Sequence, residues 1–436
     1  MSETIPQAFL ERMAVQLGDE LPAFLRSYTQ PYCRGIRMNP LKPVTQADWP
    51  AGVLEAVPWE PSAFYLTLES DAGAEILHEA GAWYLQEPSA MAAVAALDPK
   101  PGERVLDLCA APGGKSTQIA GRMGGAGLLV SNEPVPKRAA ILARNMERMG
   151  VTNALTVSAM PEALCKRWPE AFDAVLVDAP CSGEGMFRRH PETRDEWSPE
   201  APAGCAKRQR EIMQSAAEMV RPGGRLTYST CTLNPTENEE NIAWFLETHL
   251  DFVLQPFALP GIGGCDGFMT LYPHRVRGEG HFVALLHRQG EAPCNVQPFT
   301  GLKQADKAAV KAAEDFAGER LGLLHLLGET LVCLPEDCPP VQGLKVLRAG
   351  LHVGQVRGKL FFPDHAWALA ATPPKVLRIP LSRADAAHYQ AGEELPCETG
   401  AGFVLPCYGG LALGWGKVSG GRMKNHYPKG LRRNAT

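Results

Sequence analysis

Between residues 104 and 288 short apolar runs alternate with longer amphipathic stretches, a pattern that predicts strands and helices in turn. The strand candidates are RVLDLCA (104–110), GLLVSNE (127–133), NALTVSA (153–159), AFDAVLVDA (171–179), GRLTYSTC (224–231) and HFVALLHR (281–288). Between them lie the helix-like stretches KSTQIAGRM, PKRAAILARNMERMG, CAKRQREIMQSAAEMV and TENEENIAWFLETH. The second of these puts Ile141, Leu142, Met146 and Met149 on one core-facing stripe. The last opens with a capping-box pattern, Thr236 followed by Glu239. Strands that alternate with helices predict an α/β fold with a mostly parallel sheet.

The flanks are patterned differently. Residues 1–85 mix a helical stretch with proline-punctuated segments around RGIRMNPLKP and read as a small separate module. The alternating core spans 86–290, and after it the alternation fades. Residues 305–316 predict a helix within an intermediate region, 291–375. From 376 to 436 short β-leaning runs and many glycines predict a small barrel or half-barrel.

Composition removes several functions. The 436 residues are 45% hydrophobic and 21% charged, ordinary values for a globular protein. No basic leader, apolar leader core or membrane-length apolar run is visible, so a cytoplasmic protein without membrane attachment is expected. The twelve cysteines include no C-x-x-C pair and no Cys/His knuckle, which argues against a disulfide framework and against zinc. Cys333 and Cys338, in and beside LPEDCPP, read as structural. Net charge is −5, yet FRRHPETR (187–194), KRQR (207–210) and a tail with six Lys/Arg and no acid from Lys417 onward lean towards a polyanionic partner.

Three motifs carry chemistry. In RVLDLCAAPGGKSTQIA a strand gives way to small residues, Cys109, Ala110, Ala111, Pro112, Gly113 and Gly114, with a helix starting near Lys115. Small side chains admit a ligand to the backbone, and Glu133, twenty residues past Gly113 at the end of the next strand, is placed to accept from a ribose. A phosphate-binding P-loop is a poor match, because Cys109 stands where that loop needs glycine and Pro112 has no N–H. The second motif is VLVDAPCSGEG, with Asp178 and Cys181 at a strand end. The third is YSTCTLNPTENE, with Cys231 in the corresponding place one strand later. Two cysteines at the carboxyl ends of neighbouring strands face one crevice.

Together DLCAAPGGK, VLVDAPCSGEG and YSTCTLNPTENE resemble the Nop/Sun family of RNA cytosine-5 methyltransferases. GEGMFRR and the C-terminal GWGKVSGGRMKNHYPKGLRR are similar to its bacterial RsmF type, which modifies 16S ribosomal RNA, and RGIRMNPLK and LQEPSAM extend the likeness forward. The resemblance implies a Rossmann-like methyltransferase core with a small N-terminal domain and a PUA-like RNA-binding domain. It implies S-adenosyl-L-methionine held by Cys109 to Lys115 and Glu133, with Asp178 between cofactor and base. Cys231 is implied as the nucleophile and Cys181 as the cysteine of product release.

One departure stands out. The family commonly has Asp, or Asn, after the third strand, where TVSAMPEAL offers only Ser158. Either cofactor affinity is lowered or another group supplies the contact, and Glu162 lies too far along to be assumed in that role. An ordinary thiol is only about 3% thiolate at pH 7, so the nucleophile needs help, for which Lys115 and the helix start near 235 are candidates. Arg188, Arg189 and Arg194 are placed to hold phosphates at the crevice mouth. A monomer acting on 16S ribosomal RNA, naked or within the small subunit, with no metal is expected. The same chemistry on transfer RNA, and a non-catalytic RNA-binding protein, stay open.

Overall fold

Buried strands covered on both faces read as unbroken apolar runs, because neither face meets water. In the computed structural model, which describes residues 5–358 and 360–433, the runs of the middle region form one sheet. Its strands are β1 (Arg104–Asp107), β2 (Leu128–Asn132), β3 (Ala154–Ser158), β4 (Phe172–Asp178), β5 (Val220–Thr230), β6 (Phe252–Leu254), β7 (Phe268–Leu271), β8 (His281–Arg288) and β9 (Lys345–Ala349). The order is β6-β8-β5-β4-β1-β2-β3-β9, with β7 paired to β8. Strands β1 to β5 are parallel, and β8 and β9 run antiparallel to their neighbours. The alternate faces feed two cores. Leu106, Val130, Val175 and Val177 enter one, while Val105, Leu129, Ala174 and Leu176 enter the other. The α/β fold expected from the alternation is present, and its chain order reverses between β1 and β4, where such sheets open a crevice at their carboxyl ends.

Two local expectations fail for geometric reasons. Leu142, Met146 and Met149 are buried, but Ile141 is 53% exposed, because one step along a helix turns about 100° away from the i, i+4, i+7 stripe. The capping box does not form. The helix spans Glu239–Thr248 with Asn238 at its N-cap, and the Thr236 N–H donates instead to Asn234 Oδ1 at 3.0 Å. Asn238 is engaged by Thr230 Oγ1 (2.7 Å) and by the Thr232 carbonyl (3.1 Å), so residues 232–238 wrap as a polar turn before the helix begins.

The flanking modules are folded and interlocked. An antiparallel sheet orders Val53–Ala56, Ala63–Leu66, Arg34–Met38 and Trp83–Leu85, preceded by helices Gln7–Leu17 and Leu21–Ser27. The 291–375 stretch contributes β9 to the central sheet and a five-stranded sheet of its own. Its helix, Lys307–Ala317, is capped by Asp306, which accepts from Ala309 N at 2.8 Å. The C-terminal β-rich module shares one core with the N-terminal sheet, where Ile36, Trp83 and Leu77 meet Tyr389, Val404 and Met423.

A buried lysine sits at the junction of three modules. Lys42 Nζ donates to the Leu369 carbonyl (2.9 Å) and reaches that of Arg148 (3.4 Å), both at helix C-termini where cations are favoured. Burial, with the nearby Arg148 charge, holds its pKa down to about 7. In the unfolded chain it titrates near ~10.4, so between about pH 7 and ~10.4 the unfolded state carries the extra proton and stability rises with pH. Below that window both states are protonated and the burial penalty is fully present. The thermal midpoint of the wild type relative to Lys42→Met is therefore expected to climb from pH 7 to pH 9. Parallel pH profiles in the two proteins would exclude Lys42 as the source.

Candidate active site

Strands β4 and β5 are adjacent and parallel, with Asp178 registered to Ser229, so their following loops emerge side by side. This brings Cys181 Sγ to 3.2 Å from Cys231 Sγ, both as free thiols. The Ser-Gly-Glu-Gly run after Cys181 has mechanical reasons for each residue. Gly183 adopts φ +72°. Gly185 N–H donates to the Cys231 carbonyl (2.9 Å), and a Cβ there would meet Gly280 O at 2.3 Å and Cys231 O at 2.7 Å. Buried Glu184 accepts from Arg12 (2.8 and 2.5 Å), Trp197 Nε1 (3.1 Å) and Asn234 Nδ2 (3.3 Å), tying the N-terminal helix to both cysteine loops. Burial and a hydrogen bond to Cys231 act together on Cys181, the bond being the larger, and push its thiol well above the ordinary range. Cys181 therefore keeps its proton.

Beside the cysteines, Asp178 is held at both oxygens. Lys115 Nζ lies 2.8 Å from Oδ2, Ser229 Oγ donates to Oδ1 at 2.8 Å, and His281 Nε2 stands 4.0 Å away. Burial pushes the Asp178 carboxyl up, but Lys115, then His281, and the hydrogen bonds pull it further down, so it is ionised. Burial likewise works against the Lys115 ammonium and is outweighed by Asp178, with Cys231 adding to the same side. His281 is neutral, pushed to about 3 by burial and by Lys115. Beneath them Asp107, fully buried, accepts from Ser116 Oγ (2.6 Å), and burial raises its carboxyl to about 7. Asp107 escaped the sequence reading, although an acid inside an apolar strand was its signal.

The small-residue loop closes one wall of a cavity of about 540 Å³. Cys109, Ala111, Glu133, Asp178, Cys181 and Cys231 all line it, so the three motifs meet in one space. Burial pushes the Cys109 thiol up, leaving it an uncharged wall. Ala110 N–H is bonded to Asn132 O (2.8 Å), and Asn145 Nδ2 and Arg138 Nη2 hold the Pro112 and Ala111 carbonyls at 2.8 and 3.0 Å. Gly113 takes φ +115° as N-cap, the helix begins at Gly114, and Lys115 turns to Asp178. Arg37, from RGIRMNP and almost fully buried, braces that helix start by donating to Gly114 O (3.1 Å) and Thr117 Oγ1 (2.6 Å). Glu133 is buried, accepts from Val135 N (2.9 Å) and pairs with Arg138 at 3.2 Å. Ser158 turns away to the Pro134 carbonyl (3.3 Å), whereas Glu162 lines the cavity, because the short helix Pro161–Cys165 folds back over it. Glu162 thus reaches the cavity from beyond the strand end.

The arginines divide differently from the sequence expectation. Arg188 is buried in an ion pair with Glu279 (2.7 Å) and also donates to Gly278 O, and Arg194 donates to the Phe187 carbonyl (2.6 Å). Arg189 bonds the Cys33 carbonyl at 3.1 Å and stacks over Tyr32. Two exposed arginines line the cavity itself, Arg208 from KRQR and Arg138, which pairs with Glu133. In the tail, Arg433 pairs with Glu79 of the N-terminal module (2.6 Å). The hairpin of Gly416–Ser419 and Arg422–Asn425 sets Lys417 opposite Lys424 on its exposed face, with Val418 and Met423 buried on the other. Among the described residues no group of three or more His, Cys, Asp or Glu is arranged to hold a metal ion, and no helix is long and apolar enough to cross a membrane.

The chain is similar to known proteins along nearly its whole length. Residues 94–287 match the 16S rRNA methyltransferase RsmB/F family, and 5–88 match the N-terminal domain of 16S rRNA methyltransferase RsmF. Residues 312–370 match the first C-terminal domain of RsmF rRNA methyltransferase, and 376–433 the methyltransferase RsmF PUA domain. The chain is 34% identical to ribosomal RNA small subunit methyltransferase F of Klebsiella pneumoniae (strain 342), over 98% of this chain and 97% of that protein. The protein of the same name from Salmonella heidelberg (strain SL476) matches at the same identity and coverage. The solved structure of a methyltransferase homolog protein from Pyrococcus horikoshii is 29% identical, with a TM-score of 0.57, over 66% of this chain and 96% of that one. With every module matched and the relatives aligned almost end to end, the chain belongs to the RsmF family of 16S rRNA methyltransferases.

Proposed function

We propose that the protein methylates carbon-5 of a cytosine in 16S ribosomal RNA, in the cytoplasm, through a covalent bond between Cys231 and the base. The observation that carries this is the cysteine pair, 3.2 Å apart, on a cavity that also holds Asp178 and Glu133. The cavity's size and its mixture of apolar wall and buried carboxylate suit S-adenosyl-L-methionine, with Glu133 and the Cys109–Lys115 loop as its holders. That cofactor, when bound, supplies an electrophilic methyl group for carbon-5.

The chain's own residues do the rest. Cytosine is a weak nucleophile at carbon-5, so the Cys231 thiolate adds to carbon-6 and moves the C5=C6 electron pair towards carbon-5 and the ring. Lys115, through the Asp178 carboxyl, hands a proton to nitrogen-3 and neutralises the charge pushed into the ring. For release, the carbon-5 proton passes to Cys181 sulfur and its bonding pair re-forms C5=C6. The C6–S pair leaves on Cys231, which receives the proton that Cys181 had carried. The nitrogen-3 proton returns through Asp178 to Lys115, so the methylated base departs neutral. The base must leave its stack to reach this site, at a cost of a few kcal/mol.

Bisulfite sequencing of 16S ribosomal RNA from a deletion strain is expected to lose 5-methylcytosine at one or more positions. Loss confined to transfer RNA would move the substrate, and no loss in either would overturn the reaction. For the cofactor, Glu133→Ala is expected to weaken S-adenosyl-L-methionine binding by about 1.5–3 kcal/mol, the range for charge-assisted hydrogen bonds. Calorimetry that finds unchanged affinity in a folded variant removes Glu133 from the site.

A further inference from the structure

Glu237, in the TENEEN run, is fully buried and is not used by the reaction as described. Its Oε2 accepts from Ser182 N at 3.0 Å and from Gln209 Nε2 at 2.8 Å, and its Oε1 accepts from Ser182 Oγ. Gln209 Nε2 also donates to the Pro180 carbonyl at 3.0 Å. The residues on either side of Cys181 are thus gripped by one carboxylate and one amide. Ser182 Oγ further meets Thr232 Oγ1 at 2.8 Å, immediately after Cys231, so the same carboxylate registers the two cysteine loops.

We propose that Glu237, assisted by Gln209, is a positioning residue for product release, holding Cys181 against Cys231. The inference rests on the release role given above to Cys181. Burial pushes the Glu237 carboxyl up against the pull of the Ser182 and Gln209 hydrogen bonds, so a charge there is costly to keep, and a neutral polar group of the same shape would cap the turn more cheaply. What the charge adds is stiffness, since hydrogen bonds to an ionised acceptor are shorter and stronger. It also adds a field, because Glu237 contributes, after Cys231 and burial, to keeping the proton on Cys181. Glutamine in its place would turn an amide N–H₂ towards a donor and loosen one side of the grip.

The test uses full-length Glu237→Gln and Ser182→Ala, with wild type and Cys181→Ala alongside, on a 16S RNA transcript with S-adenosyl-L-methionine. Single-turnover methyl transfer and denaturation-resistant protein–RNA adduct are measured together. Glu237→Gln is expected to transfer its first methyl at near the wild-type rate, to turn over about 10- to 100-fold more slowly, as for small misplacements of reacting groups, and to accumulate adduct. Ser182→Ala keeps the backbone N–H bond, so it shows the same signature more weakly and serves if Glu237→Gln does not fold. Equal loss of transfer and release without adduct, or wild-type release, overturns the proposal. If Cys181→Ala itself traps no adduct, the cysteine assignment has failed first and takes this inference with it.

Discussion

Cys231→Ala is expected to reduce methyl incorporation into RNA to background and to form no covalent complex, while Cys181→Ala is expected to accumulate one. The difference follows from the stage at which each sulfur acts. Without Cys231 nothing adds to carbon-6, and carbon-5 stays too poor a nucleophile to be methylated. Without Cys181, addition and transfer proceed, but the carbon-5 proton has no acceptor 3.2 Å from the departing sulfur. The Cys181→Ala adduct should survive denaturing electrophoresis and require both S-adenosyl-L-methionine and Cys231, so the double variant traps nothing. Neither substitution should unfold the protein, because removing a partly buried thiol costs on the order of 1 kcal/mol. The mirror-image gel, with adduct from Cys231→Ala alone, would exchange the two roles. Turnover preserved in both single variants would make the cysteines packing residues.

The sequence disclosed the site because its parts are local. A parallel strand buried on both faces is an unbroken apolar run, and its end marks the place where polar residues face a crevice. That is why Asp178, Cys181, Cys231 and the Cys109–Lys115 loop were legible, and why they converge on one cavity. The supports were not legible, because their partners are distant in the chain. Arg12 and Glu184 are 172 residues apart, and nothing near either names the other. Arg37 lies in a short basic stretch that looks like surface, yet it is buried against the helix start at Gly114. Arg188 fails in the same sense, since FRRHPETR reads as a phosphate-facing basic cluster until buried Glu279 meets it. Glu162 shows that distance along the chain is not distance from the cavity, since a one-turn helix brings it to the lining. Local chemistry was readable, whereas long-range pairing was not.

The second large effect is expected at the Lys115–Asp178 pair. Lys115→Met and Asp178→Asn should each slow methyl transfer about 10²–10³-fold, the usual loss when one preorganised electrostatic partner of a developing charge is removed. If the two act as a unit, the double variant is expected to lose little more than the worse single variant. Asp178 supplies a further signature. In the wild type Lys115, with His281 and the hydrogen bonds, outweighs burial and keeps the carboxyl ionised, so the ammonium holds the mobile proton. In Lys115→Met burial is opposed only by His281 and the Ser229 hydrogen bond, the Asp178 carboxyl rises, and the residue carries its own proton to higher pH. The residual rate of that variant should therefore fall as pH rises through the raised carboxyl, a limb that the wild type lacks there. Breaking a mostly buried ion pair also threatens the fold, by as much as about 3–5 kcal/mol, so near-ultraviolet circular dichroism must first show native packing. With folding verified, additive losses and matching pH profiles would mean that Lys115 serves the cofactor rather than the base. Non-additive losses with the new acid-favouring limb would make Lys115 the source of the nitrogen-3 proton.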